Sequence, residues 1–325
     1  MKFLVEKNSL PLKSPFAITG YVFNNSDTIK VTLEEDGCVG HGEAMGIYYT
    51  NENQDSMIAQ LEAIRSDVEA GLTQDKIQSL LPHGGARNAL DSAWWDLEAK
   101  KSGVSVWQRL SIAPKPLVTV ATVGIDTPEK MGLRAKELSQ YPHLKIKLSG
   151  DDPITRLEAI RAQRPDAKLI VDVNQGWTFD ELKNYIPAAE KLGIAMIEQP
   201  LPRGSDEELE GFSSPVPLGA DESCLNVAEY ETAAKRYDVI NIKLDKCGGL
   251  TEGLKLVKLA QRDNKGLMIG NMTGSSLSMA PAYVIGQFCQ FVDIDGPLFL
   301  KSDIDHALEY QDGGFVSIPN PQLWG

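Results

Sequence analysis

Six charged residues of this chain, Lys147, Asp172, Glu198, Asp221, Lys243 and Asp293, follow short apolar runs at steps of 25, 26, 23, 22 and 50. Each step matches one strand, one helix and two loops, and the last is two such units, so the spacing predicts one residue per βα unit. A charge at the end of a buried strand is costly unless a ligand or partner meets it. Asp172, Glu198 and Asp221 stand on three consecutive units and can meet one cation. A donor set of carboxylates without His or Cys favours a hard ion, and open positions for water or substrate favour Mg²⁺. A salt bridge or helix cap is the ordinary alternative for any one of the acids.

The lysines bracket those acids. Counting strands from residue 117, Lys147 falls on the second and Lys243 on the sixth, opposite each other in a ring of eight. A substrate over the metal would have one ammonium group on each face, the arrangement needed to take a proton from one face and return it to the other. A free lysine, with a pKa of about 10.4, is a poor base at neutral pH. Lys145 lies two residues from Lys147 on the same side of a strand, so each cation is expected to depress the pKa of the other. An amphipathic surface strand, with Leu144, Ile146 and Leu148 turned inward, would give the same pattern.

The elements that must position these groups are legible as apolar runs at 117–123, 144–148, 168–173, 194–199, 216–221, 238–243, 267–271 and 289–293. Helical segments fit between them at 128–140, 153–163, 179–192, 226–236 and 251–264. Eight strands alternating with helices over about 200 residues predict a closed βα barrel. An open doubly wound sheet is the runner-up, but no GxGxxG follows a strand and no P-loop is present. Residues 1–115 read as an α+β capping domain. Strands are expected at 2–7, 28–35 and 38–43, with a hairpin at Asp36-Gly37, and helices at 53–71 and 86–102. In the second helix Ala86, Leu90, Ala93, Trp94 and Leu97 share an apolar face. The barrel is assigned to 116–305, and a Gly- and Pro-rich segment, 306–325, is expected to pack back on the cap.

Composition bounds the partners. The 325 residues carry a net charge of −13, and the pI is near 4.9, which argues against nucleic acid and anionic membrane surfaces. Cys38, Cys224, Cys247 and Cys289 are far apart and read as reduced thiols. The opening MKFLVEKNSL has no apolar core of a signal peptide, so a cytoplasmic location is expected. Self-association into a homo-oligomer is compatible with this composition.

Lys145-Ile146-Lys147, Asp172-Val173-Asn174, Glu198-Gln199-Pro200, Asp221-Glu222-Ser223 and Asn241-Ile242-Lys243 resemble the muconate-lactonizing subgroup of the enolase superfamily. The resemblance spans the full length. It implies a capping domain over a modified βα barrel, Mg²⁺ held by Asp172, Glu198 and Asp221, and Lys147 and Lys243 as acid/base groups. It also implies that Asn174 and Glu222 support the acid/base and metal-holding residues, Glu222 supporting Lys243. In the subgroup's common step a substrate carboxylate binds the cation, a lysine takes the α-proton, and the enediolate is stabilised by the metal.

Asp293-Ile294-Asp295 at the eighth strand discriminates among the subgroup's reactions. In the dipeptide epimerases a D-x-D there binds the substrate's free ammonium group, which an acylated amino acid or a dicarboxylate lacks. The run Val239–Gly253 also resembles L-Ala-D/L-Glu epimerases. The resemblance therefore implies an isomerase acting on a small dipeptide, with Lys145, Asp293, Asp295, Tyr21, Phe23 and Thr122 as substrate-binding candidates. Glu-selective members commonly place an arginine in the first cap loop. Here residues 14–29 and 40–64 contain no Lys or Arg, leaving hydroxyls of Tyr21, Thr19 or Tyr48 to meet a γ-carboxylate. A relaxed or apolar preference is the expectation. N-acylamino acid racemase and o-succinylbenzoate synthase are the alternatives within the subgroup. A Schiff-base aldolase would need one lysine and no metal, and a non-catalytic binding protein would be expected to break the set. The Gly248-Gly249 pair could admit close approach of a substrate or simply punctuate a loop.

Overall fold

The computed structural model describes residues 1–18 and 21–325. The chain opens with an antiparallel sheet of β1 (Lys2–Ile18), β2 (Tyr21–Glu35) and β3 (Cys38–Met45). Asp36 and Gly37 both take positive φ, 53° and 77°, the backbone that a two-residue hairpin between twisted strands requires. β1 and β2 run further than their alternation suggests: Phe16 pairs with Phe23, and Ile18 with Tyr21. The region read as a loop is thus an extended hairpin, and Thr19 lies outside the described residues.

One face of this sheet packs on helices α1 (Gln54–Ala63), α2 (Arg65–Glu69), α3 (Gln74–Leu80) and α4 (Gly85–Ser102). Ile29, Val31, Leu33, Met57, Leu61, Leu90 and Leu97 fill the interface. The helix expected over 53–71 breaks at Ile64, whose ψ of 9° interrupts the α conformation between α1 and α2. The short α5 (Val106–Leu110) leads towards the second domain.

The barrel strands are β5 (Ala121–Val123), β6 (His143–Lys147), β7 (Lys168–Asp172), β8 (Ile194–Glu198), β9 (Leu218–Ala220), β10 (Val239–Ile242), β11 (Gly266–Ile269) and β12 (Phe291–Val292). They are hydrogen-bonded in sequence order, and the pairings are parallel. The ring closes where the Val120 amide donates to Val292 O at 2.9 Å and the Ile294 amide to Thr119 Oγ1 at 3.1 Å. Inside, Val120, Ile170, Met196, Val239, Met268 and Phe291 form an apolar plug, and Lys168 caps it, 4.2 Å from the Phe291 ring. Chemistry is thereby confined to the opposite, C-terminal end of the strands.

Two differences from the sequence reading have physical causes. Leu117–Val118 (β4) leaves the first barrel strand and pairs antiparallel with Phe315–Val316 (β13), outside the ring. The helix Ser276–Gly286 showed no periodicity because all eleven residues are buried, which erases the polar face that pattern reading needs. At the end of the chain, the Trp324 indole donates to Ser92 O and the Gly325 amide to Asp96 Oδ1, both on α4. Among the described residues no helix is long and apolar enough to cross a membrane.

Cap and barrel share a buried joint. Asp91 of α4 accepts from Thr251 Oγ1 at 2.6 Å and from the Thr251 amide at 3.0 Å, at the start of the helix Leu250–Arg262. Arg87 donates to Cys247 O at 2.5 Å and Gly248 O at 3.2 Å. Gly248 and Gly249 have φ of +83° and +115°, and an added Cβ would meet the Arg87 Nε at 2.3 Å and Asp91 Oδ2 at 2.5 Å. The glycine pair therefore admits the cap's side chains rather than a substrate. Replacing Asp91 by Ala would strand the buried Thr251 amide. Urea unfolding should show a loss of about 2 kcal/mol; an unchanged midpoint would deny this joint a stabilising role.

Candidate functional site

Strand register assembles the charged residues. Lys147 pairs with Asp172 and Asp172 with Glu198, so the three side chains project from adjacent strands at one height. Asp221 and Lys243 follow β9 and β10 directly. In the ring Lys147 belongs to the second strand and Lys243 to the sixth, on opposite sides of the mouth. Gly270, just past β11, makes room for Lys243: a Cβ there would lie 2.9 Å from the lysine Cε.

Ten ionisable groups occupy this mouth, all buried: Asp172, Glu198, Asp221, Glu222, Asp293 and Asp295 with Lys145, Lys147, Lys243 and Lys246. Lys145 lies 3.1 Å from Asp172, 2.9 Å from Glu198 and 2.8 Å from Asp293. Lys147 donates to Asp172 at 2.5 Å and to Asn174 Oδ1 at 3.2 Å. Lys243 donates to Asp221 Oδ2 at 2.7 Å.

The expectation that Lys145 and Lys147 depress each other is overturned for Lys145. Burial alone would lower its pKa, but Asp293, Glu198 and Asp172 outweigh burial and hold it well above the ordinary lysine value. Lys243 is raised in the same way: burial opposes, and Asp221 prevails. A lysine surrounded by carboxylates responds to the nearer opposite charge, not to its cationic neighbour.

The acids divide into two sets. Burial works against Asp172, yet Lys147 and Lys145 bring it down to about 2. Asp221 is likewise held well below the carboxylate range by Lys243 and Lys246. Burial, reinforced by neighbouring acids, pushes Glu198 up to about 7, Glu222 to about 8 and Asp295 to about 8. Six carboxylates against four ammonium groups leave two negative charges uncompensated when all ten are ionised.

A divalent cation fits that imbalance. The donors are hard oxygens, and Glu198 Oε2 has no hydrogen-bond partner, its approach to Lys145 being misaligned. Among the described residues no three His, Cys, Asp or Glu side chains are already drawn into a ligand cage. Asp172, Glu198 and Asp221 instead each lean on an ammonium group, and they fit the metal by donor type, adjacency and charge.

Other residues are placed as follows. Glu222 does not hydrogen-bond Lys243. Its Oε1 accepts from Asn174 Nδ2 at 3.4 Å, which links it to Lys147, and the Lys243 charge acts on it through space. β12 stops at Val292, but the Asp293 amide continues the ladder to Ile269 O at 2.9 Å. Asp293 is fixed by Lys145 and by Asn271 Nδ2 at 3.0 Å, while Asp295 accepts from the Thr122 amide at 2.9 Å. Thr122 also lines a neighbouring cleft, together with Asp295.

Above the charges lies a cleft with Lys147, Lys243 and Asn174 in its lining beside Leu12, Phe16, Ile18, Phe23, Met45, Tyr48 and Met272. Tyr48 stacks edgewise on Phe23 at 5.5 Å and on Tyr21 at 4.3 Å. Phe23 reaches the cleft; Tyr21 is half exposed and buttresses Tyr48 from outside.

Lys246 escaped the sequence reading, and Asn241 stood there in a motif without a role. Lys246, buried three residues after Lys243, donates to Asp221 Oδ1 and Asp221 O, both at 2.6 Å, and to Asn241 O at 3.0 Å. Asn241 donates to Glu198 Oε1 at 2.7 Å. A lysine one helical turn beyond Lys243 was the available signal for the first.

Comparison with known proteins places this geometry. Residues 2–110 match the family described as mandelate racemase / muconate lactonizing enzyme, N-terminal domain, and residues 130–321 match enolase C-terminal domain-like. The chain is 38% identical over 312 residues to L-Ala-D/L-Glu epimerase of Escherichia coli strain K12, covering 95% of this chain and 97% of that one. It is 38% identical over 299 residues to N-acetyl-D-glutamate racemase of a Pseudoalteromonas species, covering 91% and 95%. A crystal structure of an enolase family member from Agrobacterium tumefaciens, with homology to dipeptide epimerases and with sodium and L-Ala-L-Glu bound, superposes with a TM-score of 0.96. It is 39% identical and covers 99% of both chains. A capping domain and a closed βα barrel, each matched along most of its length, make this chain a member of the enolase superfamily, of the mandelate racemase / muconate lactonizing enzyme type.

Proposed function

We propose that this protein is a Mg²⁺-dependent dipeptide epimerase that inverts the α-carbon of the C-terminal residue by two-lysine proton transfer. The observation that carries the reading is the placement of Lys147 and Lys243 on opposed strands over a buried acid cluster that includes Asp293 and Asp295. Asp172, Glu198 and Asp221 would hold the cation. When bound, Mg²⁺ would polarise the substrate carboxylate and offset the charge that builds up on it as the α-proton leaves. Lys243, held protonated beside Asp221, is poised to donate from one face. Lys147, positioned by Asp172 and Asn174, takes the proton from the other face, and the roles exchange for the opposite epimer. The four unpaired cysteines support a cytoplasmic location.

The N-acetylglutamate racemase likeness supplies the competing reading, an acylated amino acid as substrate. Charge opposes it. Burial, reinforced by the neighbouring Asp293 charge, raises Asp295, and a substrate ammonium relieves that repulsion, whereas an acyl group does not. The cleft also bears on the inverted side chain. Among its described lining residues the only cations are Lys147 and Lys243, each bonded to an acid, and the rest are apolar or aromatic apart from the uncharged Asn25, Asn174, Asn271 and Thr273. We therefore infer an uncharged side chain at the inverted position.

Incubation with Mg²⁺ and L-Ala-L-Xaa dipeptides in D₂O should introduce a single α-deuterium, read by mass spectrometry, and EDTA should abolish the exchange. Lys147→Ala and Lys243→Ala should each stop epimerisation while sparing exchange from one epimer. No exchange with any dipeptide would sink the epimerase reading. Within the panel, Ala-Phe and Ala-Leu should exceed Ala-Glu in kcat/KM by about tenfold; a preference for Ala-Glu would defeat the side-chain inference alone. Asp295→Asn should cripple turnover of dipeptides, and if it instead spared them, with N-acyl amino acids turned over, the acyl reading would prevail.

A further inference from the structure

The short helix Leu244–Cys247 begins directly after Lys243 and is held from the cap at successive points. Asp245 Oδ1 accepts from the Met45 amide at 3.0 Å and from Asn88 Nδ2 at 3.1 Å. Met45 ends β3, lines the cleft, and leads into the turn that presents Tyr48. That turn is itself closed by Glu52, which accepts from the Ile47 amide at 3.1 Å and from the Gly85 amide at the start of α4. Asn88 lies on α4 between Arg87 and Asp91, the residues that grip the same stretch from Cys247 to Thr251. Asp245 is only 6% exposed, so these bonds are shielded from water.

Resting on the epimerase reading, we propose that Asp245 is a positioning residue that couples the side-chain wall of the cap to the proton-transfer lysine Lys243. One residue separates it from that lysine, and its strand lies four positions round the ring from that of Lys147. The bond from Met45 sets the height of the Tyr48 turn over the cleft. The same carboxylate sets the turn that carries Lys243. A substrate that seats the Tyr48 wall therefore also seats one of the two lysines. Proton transfer demands near-contact geometry, so release of this tie acts on the face that Lys243 serves.

The test compares α-proton exchange in D₂O from the two epimers of one dipeptide, with Mg²⁺ present. Wild type, Lys147→Ala, Lys243→Ala, Asp245→Ala and Asn88→Ala are measured together. The epimer silenced by Lys243→Ala identifies the face that Lys243 serves. Asp245→Ala should slow exchange from that epimer about tenfold more than from the other. Asn88→Ala, which removes one of the two donors and leaves the carboxylate in place, should shift the ratio in the same direction and by less. Asp245→Asn, whose amide oxygen still accepts from Met45, should restore most of the wild-type ratio. Equal slowing of both epimers in Asp245→Ala and Asn88→Ala, or no slowing in either, would overturn the positioning role. A folded wild type that exchanges neither epimer would instead overturn the epimerase reading on which the proposal rests.

Discussion

The mouth of this barrel keeps ten ionisable groups out of water, and everything around it answers to the cost of doing so. An isolated buried charge is prohibitive, so each acid needs an ammonium group, an amide donor or a cation. Lys145 answers for three carboxylates at once, Lys246 is spent on Asp221, and Asn241 and Asn271 each steady one acid. With all ten ionised, two negative charges would remain, which a divalent ion would offset. In the proposed function, the same deficit would favour both a hard cation and an ammonium-bearing substrate.

The barrel alone would leave that mouth open. The cap supplies the apolar roof, from Leu12 and Phe16 through Phe23 to Met45 and Tyr48. Exclusion of water strengthens each electrostatic contact beneath it. The two domains meet through buried polar bonds as well as apolar contact: Arg87, Asn88 and Asp91 reach the turn after β10, and Glu43 accepts from the Ser275 amide at 2.7 Å and its hydroxyl at 2.9 Å. Such bonds specify one orientation, because any other leaves charged groups unpaired.

Much of this was legible in the sequence, and the reason is geometric. A βα repeat places strand ends at a near-constant interval, so Lys147, Asp172, Glu198, Asp221, Lys243 and Asp293 disclosed both the barrel and the strand that carries each of them. The Asp36-Gly37 turn was equally readable because only a few residue types accept two successive positive φ angles. What escaped notice lacked a period. The helix Ser276–Gly286 is buried on all sides, and Leu117–Val118 is strand-like but pairs with a partner nearly two hundred residues away.

By itself, the sequence determined the residue types at the strand ends, their order round the ring, and the opposition of two lysines across three acids. Those follow from repeat length and from the alternation of side chains along a strand. Only the tertiary structure decided how the charges share one another. Lys145 turned out to be held protonated by three acids, Glu222 to accept a hydrogen bond from Asn174, and Gly248-Gly249 to receive the cap. Electrostatic energy depends on distance and burial, and neither is written in spacing along the chain.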